Sequence, residues 1–300
     1  AAVLNLHAHP QRISLPLLVR TGSEEGNRCV VSILSRRDIG PDGFHHRDAE
    51  SHLQALVLAA GGNDSQLNWR LPLAVPGIAR QRQRLLDDWS LLTDRRLPDV
   101  MLNDLVAQLR TWRPSVVILD AAPDDDAASR LLKRAVEVAV LLAADPQAFP
   151  LQQGLCPLPV CLVEKLVVRQ PLGSSGAFRI DPADLLPRRG MVLGDAVRLA
   201  AATSPLKVDD PEARHEFQVV WSHRPGPEAT GSLLGGLSVP IDQTARRELP
   251  PLREFDIDRL TAQARHRRTV AAVTARVATQ PAGSGSLIAQ LDGLLAPLPP

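Results

Sequence analysis

Tyrosine is absent from the 300 residues, and aromatics as a whole make up only 3%. That scarcity argues against the stacking platforms of single-stranded nucleic-acid binders and against aromatic sugar-binding surfaces, and it leaves the core to Leu, Val and Ala. Neither charge sign dominates, with 34 Lys and Arg against 33 Asp and Glu. The overall field therefore gives no reason to expect nucleic acid or an anionic membrane as partner. No stretch reaches the roughly eighteen consecutive apolar residues of a membrane-spanning helix, so a soluble protein is expected, with a cytoplasmic location favoured. The Ala-Ala-Val start fits a trimmed Met or a cleaved leader equally. Cys29, Cys156 and Cys161 are too few for a disulfide framework and lack the second pair that a zinc knuckle needs. All three read as small buried residues. No Gly-x-Ser-x-Gly occurs, and Gly173-Ser174-Ser175-Gly176 lacks the Lys-Ser/Thr ending of a phosphate loop.

What the chain does have is a regular alternation of short apolar runs and helical periodicities. Val3 to His9 reads as a buried strand, and Leu15 to about Thr21 as a helix ending near Gly22 or Gly26. A second strand covers Arg28 to Leu34. Arg47 to Ala60 then places Leu53, Leu56 and Val57 at helical spacing before Gly61-Gly62 closes it. Leu67 to Leu71 alternates like a half-buried strand, and Pro72, Pro76 and Gly77 open a lid-like loop. Residues 98–112 predict a helix leading through Arg113-Pro114 into a strand at Ser115–Leu119. Asp124-Asp125-Asp126 then opens a helix to about Ala144, its acids well placed at the positive end of the dipole. Further strands are expected at Val160–Arg169, Phe178–Asp181 and Phe217–Trp221, with a helix over Met191–Ala202.

This order predicts an α/β domain with a Rossmann-like, mainly parallel sheet and helices on both faces. It spans residues 1–221. Residues 222–300 form a Pro- and Gly-rich connection and a helical C-terminal extension, with a basic amphipathic helix over 256–280 and a short one over Ile288–Leu295.

In such sheets ligands bind beyond the carboxyl ends of the strands, which is where His7-Ala8-His9-Pro10-Gln11-Arg12-Ile13 stands. Gln11, Arg12 and Ile13 offer no base, no nucleophile and no anionic metal ligand. Several strings in order nevertheless resemble the PIG-L/LmbE-like family of zinc-dependent N-deacetylases. Ala8-His9-Pro10 is similar to the start of that family's Ala-His-Pro-Asp-Asp-Glu motif. Arg28 to Gly40 resembles its second strand and exit loop, and Arg47-Asp48-Ala49-Glu50 its Arg-x-x-Glu helix start. Arg113-Pro114-Ser115-Val116-Val117 resembles its Arg-Pro-Asp-Val-Val strand. Ala122-Pro123-Asp124-Asp125 falls where His-Pro-Asp-His is expected, and Glu216-Phe217 where Glu-x-Phe is. The resemblance covers residues 3–221.

Carried over residue by residue, the resemblance implies a degenerate site. Of the family's ligand set only His9 remains; Gln11 stands at the general base, Arg12 at the Asp ligand and Asp125 at the second His ligand, with Asp124 beside it as a vestigial position. A catalytic zinc needs three protein ligands and an open position, and a guanidinium beside it opposes binding. The chain thus reads as a pseudoenzyme with no cofactor, keeping a pocket of His9, Arg12, Arg47 and Asp125 for a protein partner or a small polar ligand. Arg12 is expected to pair with Asp124 or Asp125 where a metal would have sat. The alternative is an active N-deacetylase with a displaced zinc site, drawing on His7 and on His45-His46. Arg47 either lines the pocket or pairs with Glu50 at the helix entry. Arg265-His266-Arg267-Arg268 reads as a solvated helix face, or else as a dock for an acidic partner.

Overall fold

Strand β1 (Val3–His7) is the centre of the molecule, since all five of its residues are buried. A strand buried on both faces needs helices over the sheet on either side, while parallel strands pair with its two edges. In the computed structural model, residues 2–35, 49–68, 70–73, 77–123, 126–209, 211, 213–223, 233–237, 258–262, 264–266 and 268–269 are described. A short 3-10 turn (Pro10–Arg12) follows β1, then α1 (Leu15–Leu18), which widens into a π-helical turn over Val19–Glu24. Next come β2 (Cys29–Ile33), α2 (Ala49–Ala59), β3 (Asp64–Leu67), α3 (Arg82–Leu92), α4 (Leu97–Trp112) and β4 (Val116–Asp120). The chain continues through α5 (Ala127–Ala144), α6 (Pro150–Gly154), β5 (Lys165–Arg169), β6 (Phe178–Ile180), β7 (Leu185–Leu186), β8 (Met191–Val192), α7 (Leu193–Ala201) and β9 (His215–Ser222).

The main sheet has the order β3-β2-β1-β4-β5-β9-β6, parallel from β3 to β5 and antiparallel where β9 and β6 join. The α/β expectation therefore stands. Side chains alternate across a strand, which divides the core in two. Leu4, Leu6, Val117 and Leu119 meet α3, α4 and α5 on one face. Val3, Val31, Ile33, Val116, Ile118 and Val167 meet α1, α2 and α7 on the other. No helix among the described residues is long and apolar enough to cross a membrane.

Some elements differ from the sequence expectation, each because tertiary contacts outweigh local pattern. β3 pairs with β2 over Asp64–Leu67, earlier than the alternation at 67–71 suggested; Trp69 lies outside the described residues. Past Gly77 the expected lid-like loop gives way to α3, which buries Leu85 and Trp89, and the indole N–H of Trp89 donates to the Pro72 carbonyl at 2.8 Å. Residues 160–164 do not join the sheet, because the Cys161 N–H donates to Ala143 O instead. Met191 and Val192 pair with β7, so the helix there starts only at Leu193. Cys29 and Cys161 are buried, but Cys156 is exposed. Residues 258–262, 264–266 and 268–269 are helical, in accord with the basic helix, whereas 270–300 and His45-His46 lie outside the described residues.

Three buried groups tie distant parts together. Arg110, 1% exposed, donates to the carbonyls of Asp145 (2.8 Å) and Ala148 (2.9 Å) at the carboxyl end of α5, where a cation is favourable. Lys165, with no exposed surface, donates to Leu233 O and Gly235 O at 3.0 Å each. Leu233 itself belongs to the α1/α2/α7 core, so residues 233–237 pack against the sheet domain. Gly22 lies so close to Gly61 that a Cβ on it would stand 2.1 Å from the Gly61 carbonyl oxygen. Backbone on both sides leaves no side chain to swing away. Gly22→Ala is expected to cost about 2–3 kcal/mol, read as a lowered urea midpoint at unchanged slope.

Candidate functional site

The strand order reverses between β1 and β4, and in open parallel sheets that reversal places the ligand crevice at the carboxyl ends of the two strands. The last residues of β1, β4 and β5 are His7, Asp120 and Arg169. Strand register sets Asp120 beside Arg169, and the β1–β4 pairing, extended by one rung, sets His7 beside Asp120. The ring Nδ1–H of His7 donates to Asp120 Oδ2 at 2.7 Å, and Arg169 Nη2 stands 2.8 Å from Asp120 Oδ1. Burial raises the pKa of Asp120, but the opposing charges of His7 and Arg169 outweigh it and hold the carboxyl below its ordinary range.

A second cluster stands one step further along the chain. The turn at Pro10–Arg12 carries His9 and Arg12 over the start of α5. His9 Nε2 donates to Asp126 Oδ2 at 2.9 Å, and Arg12 Nη2 lies 3.9 Å from the same oxygen. Asp126 is also the N-cap of α5, where Oδ1 accepts the Ser129 N–H at 3.0 Å and Oδ2 the Ser129 hydroxyl at 2.7 Å. Burial pushes its pKa up, yet the His9 and Ser129 contacts more than offset this and bring it down to about 2. Arg12 also reaches Asp209 at 4.0 Å, and the Asp209 N–H donates to Gln11 O at 2.8 Å. The 203–209 segment is thereby pinned to the turn.

Between the clusters is a crevice lined by Ala8, Leu119, Asp120, Ser129, Leu132 and Lys133, with no interior room for a water molecule. The buried nitrogens His7 Nε2 and His9 Nδ1 have no hydrogen-bond partner among the described residues. Beside the turn, Ser14 Oγ and His215 Nδ1 are 2.6 Å apart, both residues 2% exposed.

Of the residues singled out from sequence, the structure brings His9 and Arg12 together, on a shared carboxylate. That carboxylate belongs to Asp126, the last acid of the run Asp124-Asp125-Asp126. Asp124, Asp125 and Arg47 lie outside the described residues. Gln11 sits half-buried in the turn, where its backbone oxygen serves Asp209. Sequence reading missed the His7–Asp120–Arg169 row. Its trace is there in retrospect, since three apolar strands each end on a charged or titratable residue, and the β4 run was read as stopping at Leu119.

The donors among the described residues do not fit a zinc site. Among the described residues no group of three or more His, Cys, Asp or Glu side chains is placed to hold a metal ion. At the turn, the His9 nitrogen that faces Asp126 is already engaged and Arg12 brings a fixed positive charge. Chemically, the arrangement presents two carboxylates neutralised by cations, and a carboxylate held near pKa 2 is a weak proton acceptor at neutral pH.

No protein-family model matches the sequence, and no match is found among curated proteins. Solved structures do share the architecture. A conserved protein from Thermus thermophilus superimposes with a TM-score of 0.50 at 17% identity, over 75% of this chain and 97% of that one. The N,N'-diacetylchitobiose deacetylase of Pyrococcus horikoshii gives 0.48 at 12% identity, over 73% and 83% of the two chains. The 4-carboxy-2-hydroxymuconate hydratase GalB of Pseudomonas putida gives 0.44 at 13%, over 75% and 98%. At such identities a likeness concerns the fold and leaves activity to the site itself. The chain is similar to the Thermus protein in its α/β fold.

Proposed function

We propose that this chain is a non-catalytic relative of the zinc-dependent N-deacetylases, its α/β scaffold retained for binding a protein partner or a small polar ligand. The observation that carries the reading is the His9–Asp126–Arg12 cluster. The one family-like metal ligand hydrogen-bonds a carboxylate, and a guanidinium stands beside them. Arg12 supplies positive charge without the open coordination position that metal-assisted hydrolysis requires. Gln11, at the position of the family's base, has no group that takes up a proton at neutral pH. The near-zero net charge favours a protein or a small polar ligand over nucleic acid or a membrane.

A second reading, an active N-deacetylase with a displaced zinc site, draws support from the two buried imidazole nitrogens that lack partners among the described residues. One experiment separates the two: metal analysis of protein prepared in zinc-replete medium, with an acetate-release assay on N-acetylglucosamine-type substrates. The non-catalytic reading expects zinc well below one equivalent and acetate release no faster than in the absence of protein. Stoichiometric zinc together with turnover would overturn it.

A further inference from the structure

Helix α5 buries one side against α4 and the sheet through Leu132, Val136, Ala139, Val140 and Ala143. Its opposite side is not polar throughout, as a solvated helix face ordinarily is. Val138 is 45% and Leu141 70% exposed, and they lie between exposed Arg134 and Asp145. These four positions recur at spacings of four, three and four residues, the seam of a packed helix pair. They extend about 16 Å along the helix at its ordinary rise per residue. Among the described residues Arg134 forms no ion pair; Asp145 Oδ1 accepts the Gln147 N–H at 2.8 Å, and its charge acts on the nearby Arg110 guanidinium.

The seam is complementary to itself when reversed. Read forward it runs basic, apolar, apolar, acidic, and read backward it runs acidic, apolar, apolar, basic. An antiparallel helix laid on it by a two-fold axis between Val138 and Leu141 would set Arg134 opposite Asp145 of the other copy, and Val138 opposite Leu141. Such an isologous contact satisfies both charges and covers both apolar groups with one surface. Val160 and Leu162 are 41% and 60% exposed. The Cys161 N–H, 2.9 Å from Ala143 O, holds that segment beside the end of α5.

We propose that this face of α5 is a homodimer interface in which two copies of the chain pair through antiparallel α5 helices. One helix pair falls below the roughly 800 Å² per partner of a standard stable interface. Association is therefore weak and concentration-dependent. It does not depend on whether the crevice binds anything, and so it stands apart from the non-catalytic reading.

Sedimentation equilibrium of the full chain across a wide concentration range tests it. Wild type is expected to move from the 32.5 kDa of one chain toward twice that mass as concentration rises. Leu141→Glu should stay at the mass of one chain. Arg134→Glu and Asp145→Arg should each weaken association about tenfold or more, since each sets like charges opposite one another. The double variant Arg134→Glu/Asp145→Arg should recover it. All four positions are exposed or flank exposed ones, so the variants' melting temperatures report folding separately from association. Wild type remaining at the mass of one chain throughout would overturn the proposal. So would a Leu141→Glu variant that dimerises like wild type, or a double variant no tighter than either single one.

Discussion

Asp120→Ala is expected to lower the unfolding free energy by about 3–5 kcal/mol, the cost typical of removing one partner from a buried ion pair. The Asp120 side chain is 5% exposed and stands between His7 and Arg169 at the ends of three adjacent strands. Without it the Arg169 guanidinium, whose side chain is 11% exposed, keeps its desolvation cost and loses its counter-charge. A compensated variant shows that the cost comes from the orphaned cation. Asp120→Leu combined with Arg169→Met replaces both charges by apolar groups and should recover a large part of the loss, because a whole buried pair is replaced more cheaply than it is broken. Urea titrations of the two single variants and the double variant form the cycle. A single-variant loss below about 1 kcal/mol would show that water reaches the row and screens it.

Asp126→Asn should produce the second large effect, and one that depends on pH. Asn retains an oxygen able to cap α5, so the substitution isolates the charge that faces His9 and Arg12. The folded-state pKa of Asp126 is about 2, against an ordinary value of 3.8. A carboxyl depressed on folding contributes stability that is fully present above the unfolded value and disappears as pH falls through the folded one. The shift corresponds to about 2 kcal/mol. Wild type should exceed Asp126→Asn by about that amount from pH 5 upward, and the gap should close between pH 4 and pH 2. Stability measured by urea titration at a series of pH values reads it directly. A gap that stays constant over that range would mean that the carboxylate contributes through hydrogen bonding alone.

The sheet was legible in the sequence because its strands announce themselves. Val3–His7, Cys29–Ile33 and Val116–Asp120 are fully buried, and short, largely apolar runs of this kind have few other places to go. Helix α4 was legible from its periodicity and α5 from the acidic run at its start. What the sequence hid was set by contacts across long separations. Arg110 reads as one more charge on a helix, yet it lies buried against the carbonyls at the end of α5. The Pro- and Gly-marked stretch near Gly77 reads as the opening of a loop, and the burial of Trp89 in the core, with its indole N–H on the Pro72 carbonyl, explains why a helix follows. At the site, the ingredients His9 and Arg12 were visible and the acidic run was the expected partner. The member of that run that meets them is Asp126, where the N-cap of α5 falls.

The Lys165 clamp has a consequence for the order in which the protein assembles. All the parallel strands are complete once residue 169 has been made, and a chain emerging from the ribosome could align them then. The acceptors of the Lys165 ammonium, however, lie 68 and 70 residues later. Until those carbonyls arrive, closing the base of β5 would seal a charge away from water with two of its hydrogen bonds unmade. Strand β5 is therefore expected to close late, and a ribosome-bound chain cut short before residue 235 should keep β5 open to hydrogen exchange while β1 and β2 are already protected.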